Sequence, residues 1–81
     1  MHELSITQYV VDNVTTKAKE LNASRVFKIK LKVGSYYDYV PEIIQLYFDT
    51  LAEGTIAEGA VIICEEIPGK EFYIENMEIE D

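Results

Sequence analysis

Eighty-one residues are enough for one small domain and too few for two. Nearly half are apolar, so a core is available, although a chain this short buries only about 60–65% of its unfolded surface. Fifteen acids against seven bases leave a formal charge of -8, which opposes binding to nucleic acid and to acidic membranes and tolerates cations.

The chain opens "MHELS", and His2 is its only histidine. The first residues lack the basic region and apolar core of a signal peptide. No apolar stretch approaches the roughly 20 residues of a membrane span, so a cytoplasmic chain is expected. From Leu4 to Leu21 apolar residues recur at helical spacing: Leu4, Val11 and Ala18, with Val10, Val14 and Leu21 beside them. Ser5, Gln8, Asp12, Thr15, Lys19 and Glu20 fill the other face. Asn22 tolerates the left-handed conformation that closes such a helix.

"RVFKIKLKV" follows, with Phe27, Ile29, Leu31 and Val33 alternating with Lys28, Lys30 and Lys32. A period of two predicts a strand with one apolar and one lysine face. Either the sheet is covered on one side only, or the lysine side meets something acidic. Gly34 ends the strand. "SYYDY" then forms a loop, with Asp38 as a candidate cap and Pro41 in the first turn of a second helix. Ile43, Ile44, Leu46, Tyr47, Phe48 and Leu51 make its apolar stripe, and Gly54 stops it.

A second strand is expected over 60–66. It holds the single cysteine, Cys64, read as a small buried thiol; no internal disulfide and no CxxC zinc site is available to it. "IPGK" is a type II turn signal and predicts a hairpin into a third strand, from Glu71 to about Glu80. That strand slips phase: Phe72 and Ile74 alternate, then Met77 and Ile79 do, which calls for a bulge near Glu75–Asn76. The order α-β-α-β-β reads as a two-layer α/β (α+β) sandwich, a three-stranded sheet with two helices on one face. The first two strands would form a parallel pair across the second helix.

No catalytic constellation appears, and an enzyme is not expected. There is no second histidine, no GxSxG and no phosphate loop. The carboxyl-terminal acids are expected on a solvated strand face. His2 admits two readings. A free amino terminus, the His2 amide nitrogen and the imidazole form fused chelate rings suited to nickel(II) or copper(II), which favour planar nitrogen donors. Alternatively, position 2 simply happens to be histidine, and Glu3 is a first-turn acid favoured by the helix dipole.

Taken together, "MHELS", "RVFKIKLKVG", "VPE" with Leu46 and Phe48, "GTIAEGAVIICEEIP" and "EFYIENMEIED" resemble the HypA family of nickel metallochaperones, across essentially the whole chain. The resemblance implies one HypA-like nickel-binding domain over residues 1–81. It implies nickel(II) held at the extreme amino terminus by the Met1 amine, the His2 amide and imidazole, and the Glu3 backbone amide. It further implies service in [NiFe]-hydrogenase or urease maturation, with a HypB-type GTPase and the hydrogenase large subunit as partners.

The family's zinc module, with its two CxxC pairs, is missing between about residues 68 and 70, so no zinc is expected. The loop "GSYYDYVPE" also carries bulkier side chains than the family's usual ones there. A second reading, of a different class, is an interaction or regulatory module that keeps the HypA scaffold without delivering metal. Its contact surfaces would be the lysine face and the tyrosine loop. An unshielded edge strand is able to pair two copies, which leaves a homodimer open.

Overall fold

The computed structural model describes residues 2–81. Helix α1 spans Glu3–Glu20, strand β1 Arg25–Gly34, a short 3-10 turn Ser35–Tyr37, helix α2 Pro41–Leu51, strand β2 Val61–Ile67 and strand β3 Phe72–Glu80. The result is an α+β fold in which both helices pack on one face of a three-stranded mixed sheet. The two helices pack on each other, α1 above β1 and β3 and α2 above β2.

In α1 the buried stripe is Ile6, Val10, Val14 and Ala18, with Val11 beside it. Each fully buried aliphatic side chain is worth about 1.5–3 kcal/mol. Leu4 and Leu21, expected in the stripe, are exposed: Leu4 lies at its edge, and Leu21 falls just past the last helical residue. Asn22 adopts φ 57°, and the Ala23 N–H reaches back to the Ala18 carbonyl at 2.9 Å, so the helix closes in the left-handed manner expected. In α2 the core residues are Ile44 and Phe48, while Leu46 points to solvent.

Strand β1 is central, parallel to β2 and antiparallel to β3. The expected parallel pair is therefore present, and the expected hairpin is not: β2 and β3 never pair. Residues 68–71 instead carry the chain across the end of β1. The Gly34 N–H donates to the Glu71 carbonyl at 2.7 Å, and the Tyr36 N–H to the Gly69 carbonyl at 3.0 Å. Gly69 has the positive φ (98°) that a Pro-Gly turn supplies, but the turn serves a crossover. The physical reason lies in β1, whose backbone N–H and C=O groups point to both edges, and a neighbour on each edge pairs them.

The bulge in β3 is present: Lys30 faces Asn76 and Leu31 faces Ile74, leaving Glu75 as the extra residue. Ile74 and Met77 thereby both reach the core. A second register shift at Phe27 was not expected. It puts Val26 in the core and leaves Phe27 half-buried outside it, beneath the Arg25 guanidinium at 5.8 Å.

The lysine face meets acids of the same chain. Lys28 pairs with Glu78 (3.7 Å), Lys30 with Glu75 (3.4 Å), Arg25 with Glu80 (2.9 Å), and Lys32 with both Glu65 and Glu75. The carboxyl-terminal acids are thus partnered as well as solvated. The Lys32 hydrogen bond and charge hold the Glu65 carboxyl below the usual carboxylate range, and Glu65 in turn raises the Lys32 ammonium.

Two outcomes are expected. A Cβ at Gly34 would lie against the Gly69 carbonyl and 2.7 Å from the Glu71 oxygen, both backbone. Gly34→Ala should therefore cost about 1–3 kcal/mol in urea unfolding. The Lys32–Glu65 contribution should be present from above the unfolded glutamate pKa of about 4.5 up to the unfolded lysine pKa of about 10.5. It is lost as pH falls through the depressed Glu65 pKa, and again as pH rises through the raised Lys32 pKa. Urea midpoints at pH 7 and pH 3 should drop less for Lys32→Met than for the native chain.

Candidate metal centre

Among the described residues no group of three or more His, Cys, Asp or Glu side chains is placed to hold an ion. Cys64 is half-buried in β2, and burial, then the negative charge of Glu42, pushes its thiol up to about 11. It stays protonated near neutrality, which makes it a poor ligand. Backbone donors are freest at a helix start.

The start of α1 supplies them. His2 is its N-cap residue, and its carbonyl accepts the first intrahelical hydrogen bond, from the Ile6 N–H at 3.0 Å. The amides of His2 and Glu3 precede that donor, so neither belongs to the helical ladder. Binding an ion through them sacrifices no helical hydrogen bond. The imidazole is half-buried, edge-on to Tyr37 at 5.3 Å between centroids and tilted to Tyr36 at 6.5 Å. Met1, the remaining predicted ligand, lies outside the described residues. The donor set that is described fits an ion favouring planar nitrogen ligation.

Glu3 does more than its position on the helix dipole requires. It is only 2% exposed. Its Oε2 accepts the Val40 N–H at 3.0 Å, its carbonyl accepts the buried Thr7 hydroxyl at 2.6 Å, and its Oε1 has no partner among the described residues. Val40 is the N-cap position of α2 and has no side-chain cap of its own. Glu3 therefore caps α2 from α1 and joins the two helix starts. Asp38, the expected cap, instead takes φ 49° and closes the 3-10 turn. The signal was present in the sequence: Glu3, Ile6, Thr7, Val10 and Val14 recur at helical spacing, which places Glu3 on the core face.

Helix starts tied to one another, two amides ahead of the helical ladder and a histidine beside them belong to an α+β scaffold whose first turn offers nitrogen donors. The family model described as "Hydrogenase/urease nickel incorporation, metallochaperone, hypA" matches residues 1–72, and the chain belongs to this family, one of metallochaperones and not of enzymes. It is 40% identical over 70 residues to the hydrogenase maturation factor HypA of Dehalococcoides mccartyi (strain CBDB1), covering 86% of this chain and 59% of that protein. It is 42% identical over 69 residues to the HypA of Nostoc sp. (strain PCC 7120), covering 85% and 58%. The chain thus spans about three-fifths of the length of these relatives.

The HypA of Caldanaerobacter subterraneus is 29% identical over 114 aligned positions, covering 99% of this chain and all of that protein. It therefore carries residues with no counterpart here. The family match stops at Phe72, the first residue of β3. The solution structure of the nickel metallochaperone HypA from Helicobacter pylori shares the fold, with a TM-score of 0.68 at 14% identity, over all of this chain and 95% of that one. No helix among the described residues is long and apolar enough to cross a membrane.

Glu3→Ala should destabilise the protein by about 1–3 kcal/mol in denaturant unfolding, because it leaves the Val40 N–H without its acceptor. Glu3→Gln keeps an acceptor oxygen at that place and should lose less.

Proposed function

We propose that this chain is the nickel-carrying domain of a HypA-type metallochaperone serving [NiFe]-hydrogenase maturation, or urease maturation, in the cytoplasm. Nickel(II) is the cargo. Its ligands are the Met1 amine, the His2 amide and imidazole, and the Glu3 backbone amide. A HypB-type GTPase and the hydrogenase large subunit are the partners that the family resemblance supplies. By the family resemblance, the connection over residues 68–71 stands where a zinc module is otherwise carried, and residues 1–81 are read as one nickel domain without it.

The observation that carries this reading is the position of His2 and Glu3. Both amides stand ahead of the first helical donor, beside an imidazole, at a chain start whose sequence matches a nickel-incorporation family. A site at a chain terminus suits transfer by ligand exchange, because a chain end moves readily. The lysine face, offered by the alternative reading as a contact surface, is already engaged by Glu65, Glu75, Glu78 and Glu80.

Nickel(II) titrated into protein with a native amino terminus should produce the absorption of square-planar nitrogen ligation. His2→Ala, and separately one residue added before Met1, should each abolish it. Binding releases amide protons, so affinity should fall as pH drops. Undiminished binding by both altered proteins would remove the terminal site from the account.

A further inference from the structure

The tyrosines of the 3-10 turn pack beside the one imidazole. The His2 ring stands edge-on to Tyr37 at 5.3 Å and 81°. Tyr37 stands edge-on to Phe72 at 5.5 Å and 89°, and Phe72 edge-on to Tyr9 at 5.2 Å and 81°. Tyr36 packs edge-on to Tyr37 at 5.5 Å, and its outer face carries the Lys70 ammonium at 5.3 Å. A seam of perpendicular rings therefore runs from α1 through the first residue of β3 and the 3-10 turn to His2. Each pair lies within the range in which aromatic quadrupoles attract edge to face.

The turn that presents Tyr37 is itself held. The Gly34 and Tyr36 N–H groups donate to the Glu71 and Gly69 carbonyls, and Asp38 closes the turn in the left-handed conformation. Tyr36 is 59% exposed, so core burial does not account for it. An unrestrained histidine at a chain start samples several rotamers, and chelation by its own amide and ring selects among them.

We infer that Tyr37, buttressed by Tyr36 and Phe72, is a positioning residue for nickel(II): it holds the His2 imidazole in place before the ion arrives. This rests on the terminal chelate proposed above. It makes the β2–β3 crossover, through Lys70 and Phe72, part of the support of the site. Phenylalanine should serve at position 37, because the contact with His2 is ring packing and no hydrogen bond joins the Tyr37 hydroxyl to His2 among the described residues.

The test compares the native chain, Tyr37→Phe and Tyr37→Leu, all with an unmodified amino terminus. In the metal-free protein, proton NMR should show ring-current-shifted His2 ring resonances that persist in Tyr37→Phe and collapse toward free-histidine positions in Tyr37→Leu. Nickel(II) affinity by calorimetry should fall about 3- to 10-fold in Tyr37→Leu and stay within about twofold in Tyr37→Phe. Thermal unfolding verifies that each variant is folded at the temperature of titration. Native and Tyr37→Leu chains that bind nickel equally would overturn the positioning role while leaving the terminal chelate standing. A native chain that binds no nickel would take down both, and the metal-free His2 resonances would then report only the packing. Should Tyr37→Leu fail to fold, Tyr36→Leu replaces it, with the His2 resonances and the affinity expected to move in the same directions.

Discussion

The passage of the chain over the end of β1 is the constraint on which the rest of the architecture depends. After β2 the chain must reach the opposite edge of β1, and it does so within residues 68–71. Only a hydrogen at Gly34 lets two backbone carbonyls come this close. From that crossing follow the central place of β1, the antiparallel seat of β3, and the anchoring of the 3-10 turn that carries Tyr36 and Tyr37. The same crossing aligns acids from both outer strands with the lysines of β1, so one register serves the buried face and the charged face alike.

Local periodicity was legible in the sequence, and pairing was not. Alternation located β1 and β3, the second strand was expected within a residue of where it lies, and the phase slip between Ile74 and Met77 located the bulge at Glu75. Helical spacing located both helices, and Asn22 their first stop. What misled was the Pro-Gly signal, which reports a local reversal of backbone and says nothing of which edge the next strand joins. The shift at Phe27 was hidden for a related reason. A uniform alternation from Phe27 to Val33 describes every residue correctly from Ile29 onward, and only the pairing with β3 decides that Val26 is the buried one. Around the site, chemistry alone left His2 with two readings, and only the family resemblance favoured the donor. The capping role of Glu3 requires knowing that α2 begins beside it.

The structure divides stability from exchange. Ile6, Val10, Val14, Ile29, Leu31, Val33, Ile44 and Phe48 form one closed core, and the chain start stands at its margin. Glu3 connects the two: its side chain is buried and bonded to the start of α2, while its backbone amide precedes the first donor of the helical ladder. A carrier needs this asymmetry. Ligands drawn from the core would bind firmly and release slowly, because exchange would require opening the fold. Ligands drawn from the chain start exchange by motion of one or two residues.

Electrostatics at the helix start sharpen the point. The amino-terminal end of a helix bears partial positive charge and by itself disfavours a divalent cation. The proposed ligands reverse the balance, because two backbone amides that bind as anions cancel the charge of nickel(II), while the amine and imidazole bind neutral. In that proposed site the ion would be held as an electrically neutral unit that the dipole does not repel, on a chain whose net charge of -8 favours the approach of cations. Protons that displace the amides would undo the cancellation and leave the ion facing the positive helix end. Binding and release would then differ by the protonation of two amides, with the α1 dipole favouring release.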